Sequence, residues 1–272
     1  MMKRQLVDLP WGQMMTRCAG DGAPIALLHA SPLSAAFLRP QIEALAPHFT
    51  AIGIDAPGYG QSDAPARLEN LEDYADVILA TMRALGHERF GLYGTATGAQ
   101  IALALAKRAP SAISRLVLEN CGHFDAELRT AWEDGYFPDI TARLDGSHMT
   151  QIWDMCVKQA TRFPWHLDGQ ANAPPPIAFL EAMARAYLEC GADYHKAYRL
   201  AFHAEDAASF QGLGVPTILI DWESSVVRKE VHALIAKGLP ACVRVAQAGA
   251  GLPARLDTIV AAFTAPEPAT AP

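Results

Sequence analysis

Between Met14 and Glu119 short apolar runs alternate with longer stretches whose apolar residues recur every three to four positions. That alternation is the strongest constraint on the fold, because parallel strands joined by crossover helices are the economical way to bury it. Strands are expected at Met14 to Cys18, Ile25 to His29, Thr50 to Asp55, Phe90 to Tyr93 and Ile113 to Glu119. Amphipathic helices are expected at Ala35 to Leu45, Leu71 to Leu85 and Ala99 to Lys107, with Pro32, Pro57 and Pro110 marking the joins. From about Cys121 to Gly212 the β-rich runs stop. Helical segments take over at Asp125 to Glu133, Thr150 to Phe163, Ile177 to Cys190 and Ala192 to His203, broken by Gly and Pro as at Ala173 to Pro176. The alternation then returns with strands at Pro216 to Ile220 and Cys242 to Val245 and helices at Val226 to Lys237 and Ala254 to Phe263. An α/β core of residues 1–121 and 212–264 with a helical cap over 122–211 follows, and the Ala/Pro tail 265–272 is expected to be disordered.

Half of the 272 residues are hydrophobic (51%) and 19% are charged, which is a globular composition with enough material for one large core. A net charge of -7 with no dense Lys/Arg run argues against nucleic acid and anionic membranes as partners and leaves small molecules. The N-terminus lacks the apolar stretch of a secretion signal, and no apolar run is long enough to span a bilayer, so the expected location is the cytoplasm. Five scattered cysteines fit neither a disulfide scaffold nor a zinc site. The nine histidines include no His-x-x-x-His, and no G-x-G-x-x-G opens a helix after the first strand, so neither metal nor dinucleotide cofactor is expected. Oligomeric state stays open.

Three motifs stand in order along the chain. Leu27-Leu28-His29-Ala30-Ser31-Pro32 follows a strand, Asp55-Ala56-Pro57-Gly58-Tyr59-Gly60-Gln61-Ser62-Asp63 forms a glycine-rich turn, and Gly94-Thr95-Ala96-Thr97-Gly98 sits at a strand-to-helix turn. Together they resemble the α/β-hydrolase family: its oxyanion loop, its Asp-x-Pro-Gly-x-Gly-x-Ser turn and its G-x-S-x-G nucleophile elbow. The resemblance covers nearly the whole chain and implies the α/β-hydrolase fold, a mostly parallel sheet with helices on both faces and an inserted helical cap. It also implies a Ser-His-Asp site, from which this sequence departs.

At the elbow apex stands Ala96, whose methyl group can neither attack a carbonyl nor lose a proton. In the register of Pro216-Thr217-Ile218-Leu219-Ile220-Asp221-Trp222-Glu223-Ser224-Ser225, the family's acid position falls on Ser225, with Asp221 and Glu223 displaced by a few residues. In Gly249-Ala250-Gly251-Leu252-Pro253 the base position falls on Leu252, and no histidine follows His232. The backbone donors of the oxyanion half survive any such change, and they would be the amides of Ser31 and Thr97.

Other polar residues have two readings each. His29 is either an acid-base group or a buried, hydrogen-bonded imidazole. Asp55 and Ser62 read as turn-fixing residues. Asn120, Cys121 and His123 follow a strand end from which some relatives take their acid; His123 is a ligand candidate, while Glu119 is expected to face a helix. Asp145 to Trp153 and Phe163 to His166 resemble a segment of a family branch with a non-serine elbow. His148 and Trp153 there are pocket candidates, although they lie about one and a half helical turns apart. Tyr194 and His195 are further candidates to flank a pocket.

The sequence therefore points to a protein that binds a small, largely apolar carbonyl compound between core and cap without serine-hydrolase chemistry. It is either a non-standard enzyme using His29, His148, Asp221 or Glu223, or a catalytically silent pseudoenzyme. The alternative is weak or water-mediated hydrolysis of an ester, lactone or amide. An interaction role for the cap face is a third, weaker reading.

Overall fold

The computed structural model describes residues 1–169 and 171–266. Eight strands form one sheet in the order β1-β2-β4-β3-β5-β6-β7-β8. They are β1 (Lys3–Leu9), β2 (Gly12–Ala19), β3 (Pro24–Leu28), β4 (Thr50–Ile54), β5 (Phe90–Thr95), β6 (Ile113–Glu119), β7 (Thr217–Trp222) and β8 (Val243–Ala248). β1 and β2 pair antiparallel at one edge, β2 runs antiparallel to β4, and every pair from β4 to β8 is parallel. All seven strands expected from the sequence are present. β1 is additional: only Val7 of Lys3–Leu9 is buried, so an edge strand of this kind carries no apolar alternation to read.

Helices α1 (Arg39–Leu45), α2 (Leu71–Ala84), α3 (Thr97–Arg108), α8 (Arg228–Ala236) and α9 (Gly251–Thr264) cover the sheet. One face packs Ile42 and Leu45 of α1 and Ile259 and Phe263 of α9 against Ile25, Tyr93 and Ile220. The other packs Ile78 and Met82 of α2, Ile101 and Leu105 of α3 and Leu234 of α8 against Leu28, Leu92 and Leu118. The start of α2 is defined by a capping box, in which the Asp73 N–H donates to Asn70 Oδ1 at 2.9 Å and the Asn70 N–H to Asp73 Oδ2 at 3.3 Å. α3 runs behind the central strands and buries all residues from Thr97 to Ala106.

Between β6 and β7 lie α4 (Ala126–Tyr136), α5 (Ser147–Gln159), α6 (Ile177–Cys190) and α7 (Lys196–Ala204). They share a separate, aromatic core that includes Phe124, Tyr136, Trp165, Tyr187, Tyr194 and Phe202. This insert stands over the sheet end where β5 and β6 terminate. At the far end of the chain Ala265 is tied down rather than loose, its carbonyl accepting from Arg115 Nη1 at 2.6 Å. Residues 267–272 of the expected disordered tail lie outside the described residues.

Candidate active site

β5 runs into the sheet as six fully buried residues and stops where the chain must reverse into α3. Ala96 makes that turn with φ 50° and ψ -118°, a conformation an L-residue adopts only when its surroundings impose it. The surroundings are two glycines. A Cβ on Gly94 would lie 2.3 Å from the Gly98 carbonyl oxygen, and one on Gly98 would lie 2.4 Å from the Leu28 carbonyl oxygen. Strand, turn and helix thus touch backbone to backbone, and the Ala96 N–H extends the ladder to the Glu119 carbonyl at 3.0 Å. The first amides of α3 have no intrahelical acceptor and carry the positive end of the helix dipole.

A cavity of about 160 Å³ opens on this turn. Its sheet side is Ala96, Thr97 and Asn120. Its other walls come from the insert and the β7 to α8 loop: aromatic rings such as Phe124, Phe163 and Phe202, with Val226 and Val227. Phe124 stacks on Phe163 at 5.3 Å, and the hydroxyls of Tyr136 and Tyr198, both in the wall, lie 2.8 Å apart. An arginine and a glutamate, Arg162 and Glu205, interrupt this largely apolar lining.

Glu205 is 6% exposed, and its Oε2 accepts the Gly122 N–H at 2.5 Å. Burial pushes its carboxyl up to about 8, against the partial relief offered by the Gly122 amide, Gln100 and Cys121. Neighbouring Tyr136 and Tyr198 are themselves buried phenols raised above their ordinary range, chiefly by the same desolvation. Glu205 is therefore neutral in the fold near pH 7 but ionised in the unfolded chain. A raised carboxyl stabilises the fold fully below its unfolded value of about 4.5, and that contribution is lost as pH rises towards 8. Unfolding titrations should show stability declining across pH 5 to 8 by up to about 1.4 kcal/mol per pH unit from this group. Glu205→Gln should flatten that decline; an unchanged slope would mean that Glu205 does not titrate in this window.

Ser225, expected at the acid position, belongs to a neutral hydrogen-bonded chain. Ser225 donates from Oγ to Asn120 Oδ1 at 2.7 Å, and Asn120 Nδ2 donates to Thr95 Oγ1 at 3.0 Å. Asn120 itself sits at φ 51°, so both strand ends beside the cavity are held in left-handed conformations. Leu252 is 43% exposed at the start of α9. Asp221 is buried and bound by Arg228 at 2.9 Å and His232 at 2.8 Å. Burial alone would raise its carboxyl, but those two partners outweigh it and leave it below the ordinary range. This carboxylate-imidazole pair is not part of the cavity wall, and Glu223 is exposed on the same strand end.

Several of the expected ligand contacts do not line this cavity. His29 receives the Ala56 N–H on Nε2 at 2.8 Å and lies 2.9 Å from the Ala30 carbonyl through Nδ1, so both nitrogens are engaged. Burial lowers its basicity, and it braces the turn that Asp55 and Ser62 also hold: Asp55 accepts from Ala35 and Gln61, and Ser62 links Met15 to Asp55. His148 accepts the Arg143 N–H at 3.1 Å on the outside of the insert. Trp153 is 37% exposed, because α5 turns Ile152, Met155 and Cys156 inward instead. His123 is taken up by the Ala207 N–H at 3.3 Å and lies outside the cavity. Ser31 is buried nearby but does not line the cavity, whereas Thr97 does. Tyr194 is core, its hydroxyl donating to the Pro138 carbonyl at 2.9 Å.

Arg162 and Glu205 escaped the sequence reading. Arg162 sits one residue before the aromatic run Phe163 to His166, which was the usable hint; Glu205, in His203-Ala204-Glu205-Asp206, looks like any carboxylate at a helix end. Among the described residues no group of three or more His, Cys, Asp or Glu side chains is arranged to hold a metal, and no helix is long and apolar enough to cross a membrane.

Comparison with known proteins agrees with this architecture. The chain is similar to a protein of Agrobacterium fabrum named as a carbamate hydrolase, at 40% identity over 55% of this chain and 62% of that one. It is also similar to the (E)-2-((N-methylformamido)methylene)succinate hydrolase of Acinetobacter baylyi, at 31% identity over 37% of this chain and 38% of that one. These matches span about four to six tenths of the relatives' own length. Among solved structures, the enol-lactonase of Burkholderia xenovorans superposes with a TM-score of 0.72 at 18% identity, covering 96% of this chain and 100% of that one. The sequence profile of the alpha/beta hydrolase fold matches residues 23–250. With that profile, the eight-stranded sheet and the glycine-bounded turn at Ala96 all in agreement, the chain belongs to the α/β-hydrolase fold family.

Proposed function

We propose that this protein binds a small, largely apolar carbonyl compound in the Ala96 cavity, with the insert of residues 122–211 acting as its cap, and that it does so without serine-hydrolase chemistry. The carrying observation is the cavity lining: a methyl group at the elbow apex, the start of α3 beside it, aromatic walls, and no histidine among the described lining residues. A carbonyl oxygen directed at the Thr97 end of α3 meets the amides that elsewhere stabilise an oxyanion. The aromatic walls supply the affinity. A nucleophile of side-chain origin has no histidine among the described lining residues to activate it.

Restoring the missing hydroxyl tests this directly. Ala96→Ser should raise esterase turnover less than about ten-fold and should not react with a fluorophosphonate, since a lone serine gains little without its imidazole. Labelling of a unique serine near the elbow in the natural chain, or strong labelling of the variant, would sink the reading.

The hydrolase names of the relatives favour a second reading, hydrolysis of an ester, lactone or amide by water. Glu205 is the acid-base candidate for it, being the carboxyl in the cavity wall. As its carboxyl is raised to about 8, a base role requires turnover that climbs with pH up to about 8 and disappears in Glu205→Gln. Ligand binding with no turnover in either protein would instead assign a silent binder.

A further inference from the structure

Three residues that line the Ala96 cavity each carry a buried hydrogen-bond donor with no acceptor in the protein: Thr97 Oγ1, Trp165 Nε1 and Arg162 Nε. Thr97 is 3% exposed and Trp165 8%. A buried donor left unmade costs about 1–3 kcal/mol, and folded proteins leave few of them. Three around one small space ask for an occupant.

Three acceptors of the same wall already take protein donors. Asn120 Oδ1 takes the Ser225 hydroxyl, Gln159 Oε1 takes the Tyr187 hydroxyl at 2.5 Å, and Glu205 Oε2 takes the Gly122 amide. The cavity therefore combines surplus donors, a guanidinium and the positive end of a helix with an otherwise apolar surface. A neutral apolar ligand would leave the donors stranded. An acceptor-rich anion with a short apolar body would use all of them, and a guanidinium suits a carboxylate better than an ammonium does, because its planar fork matches the two oxygens.

We propose that the ligand carries a carboxylate beside its carbonyl group, with Arg162 and the Trp165 indole N–H on the carboxylate and the Thr97 end of α3 on the carbonyl oxygen. This deepens the reading given under Proposed function and rests on it. Because Glu205 is held as the neutral acid at neutral pH, it does not repel such an anion.

The test is calorimetric titration of the whole chain at pH 6.5 with pyruvate, phenylpyruvate and levulinate, each against its methyl amide. At least one acid should bind about ten-fold or more tighter than its amide, the worth of roughly one charge-assisted hydrogen bond. Arg162→Met should erase that preference, Arg162→Lys should keep part of it, and Trp165→Phe should weaken the acid about three-fold or more, all with unchanged circular dichroism. Amides that bind as well as the acids, or acids indifferent to both Arg162→Met and Trp165→Phe, overturn the inference while leaving the carbonyl-binding reading intact. If neither acids nor amides bind below about 10 mM, a site holding water only is indicated and both fall.

Discussion

Arg255→Met is expected to lower the unfolding free energy by about 3–5 kcal/mol, because it strands a carboxylate in the middle of the sheet. Glu119 at the end of β6 has no exposed surface, and Arg255 from α9 holds both its oxygens, Oε1 through Nε at 2.7 Å and Oε2 through Nη2 at 2.7 Å. Tyr93 adds its hydroxyl to Oε2 at 2.5 Å, and Trp222 lies beneath the guanidinium at 4.7 Å. The group joins β5, β6, β7 and α9 beneath the floor of the cavity. Removing the cation alone leaves a buried charge, whereas removing both charges does not. The double variant Arg255→Met with Glu119→Gln should therefore be markedly less destabilised than the single one. Urea unfolding followed by circular dichroism reads the difference. A loss below about 1 kcal/mol in the single variant would class this pair with exposed ion pairs and refute the argument.

Gly98→Ala should destabilise by about 1–3 kcal/mol or more, against the gain of about 1 kcal/mol that alanine normally brings to a helix. The new methyl would stand 2.4 Å from the Leu28 carbonyl oxygen and 2.7 Å from that of His29. Both are backbone atoms of the sheet and its following loop, so neither can swing aside. Relief requires α3 to move off β3, which would carry Thr97 and Ala96 with it and open the cavity. Binding of any ligand at the elbow should fall together with stability. Gly214, with open space around its missing Cβ and an ordinary backbone angle, is the control: Gly214→Ala should change stability by no more than about 0.5 kcal/mol. Equal effects of the two substitutions would show that backbone contact at Gly98 is not what shapes the turn.

The parts of this molecule legible in its sequence are those governed by local pattern. Strands β2 to β8 announce themselves as apolar runs because all but the last are buried on at least one face, and the six buried residues of β5 give the clearest run next to the elbow. The placement of Glu119 against a helix is also as expected, with Arg255 of α9 as the partner that only the structure identifies. β1 was invisible because a mostly exposed edge strand leaves no apolar rhythm. The histidines were the poorest guides. An imidazole has the same formula whether it braces a turn, as His29 does with both nitrogens, or faces a ligand, and nothing in its sequence neighbourhood separates the two.

What the chain determined by itself was the turn and its apex: two glycines four residues apart between a strand and a helix, and an alanine between them that no folding can convert into a nucleophile. What only the tertiary structure decided was the company Ala96 keeps. Arg162, Trp165 and Glu205 reach it from 66, 69 and 109 residues away in sequence, through a helical insert whose inward faces are chosen by aromatic packing. Periodicity names the face of a helix that is buried. Which floor that face is buried against, and whether a polar group there still lacks a partner, depends on distances across the fold that no local pattern encodes.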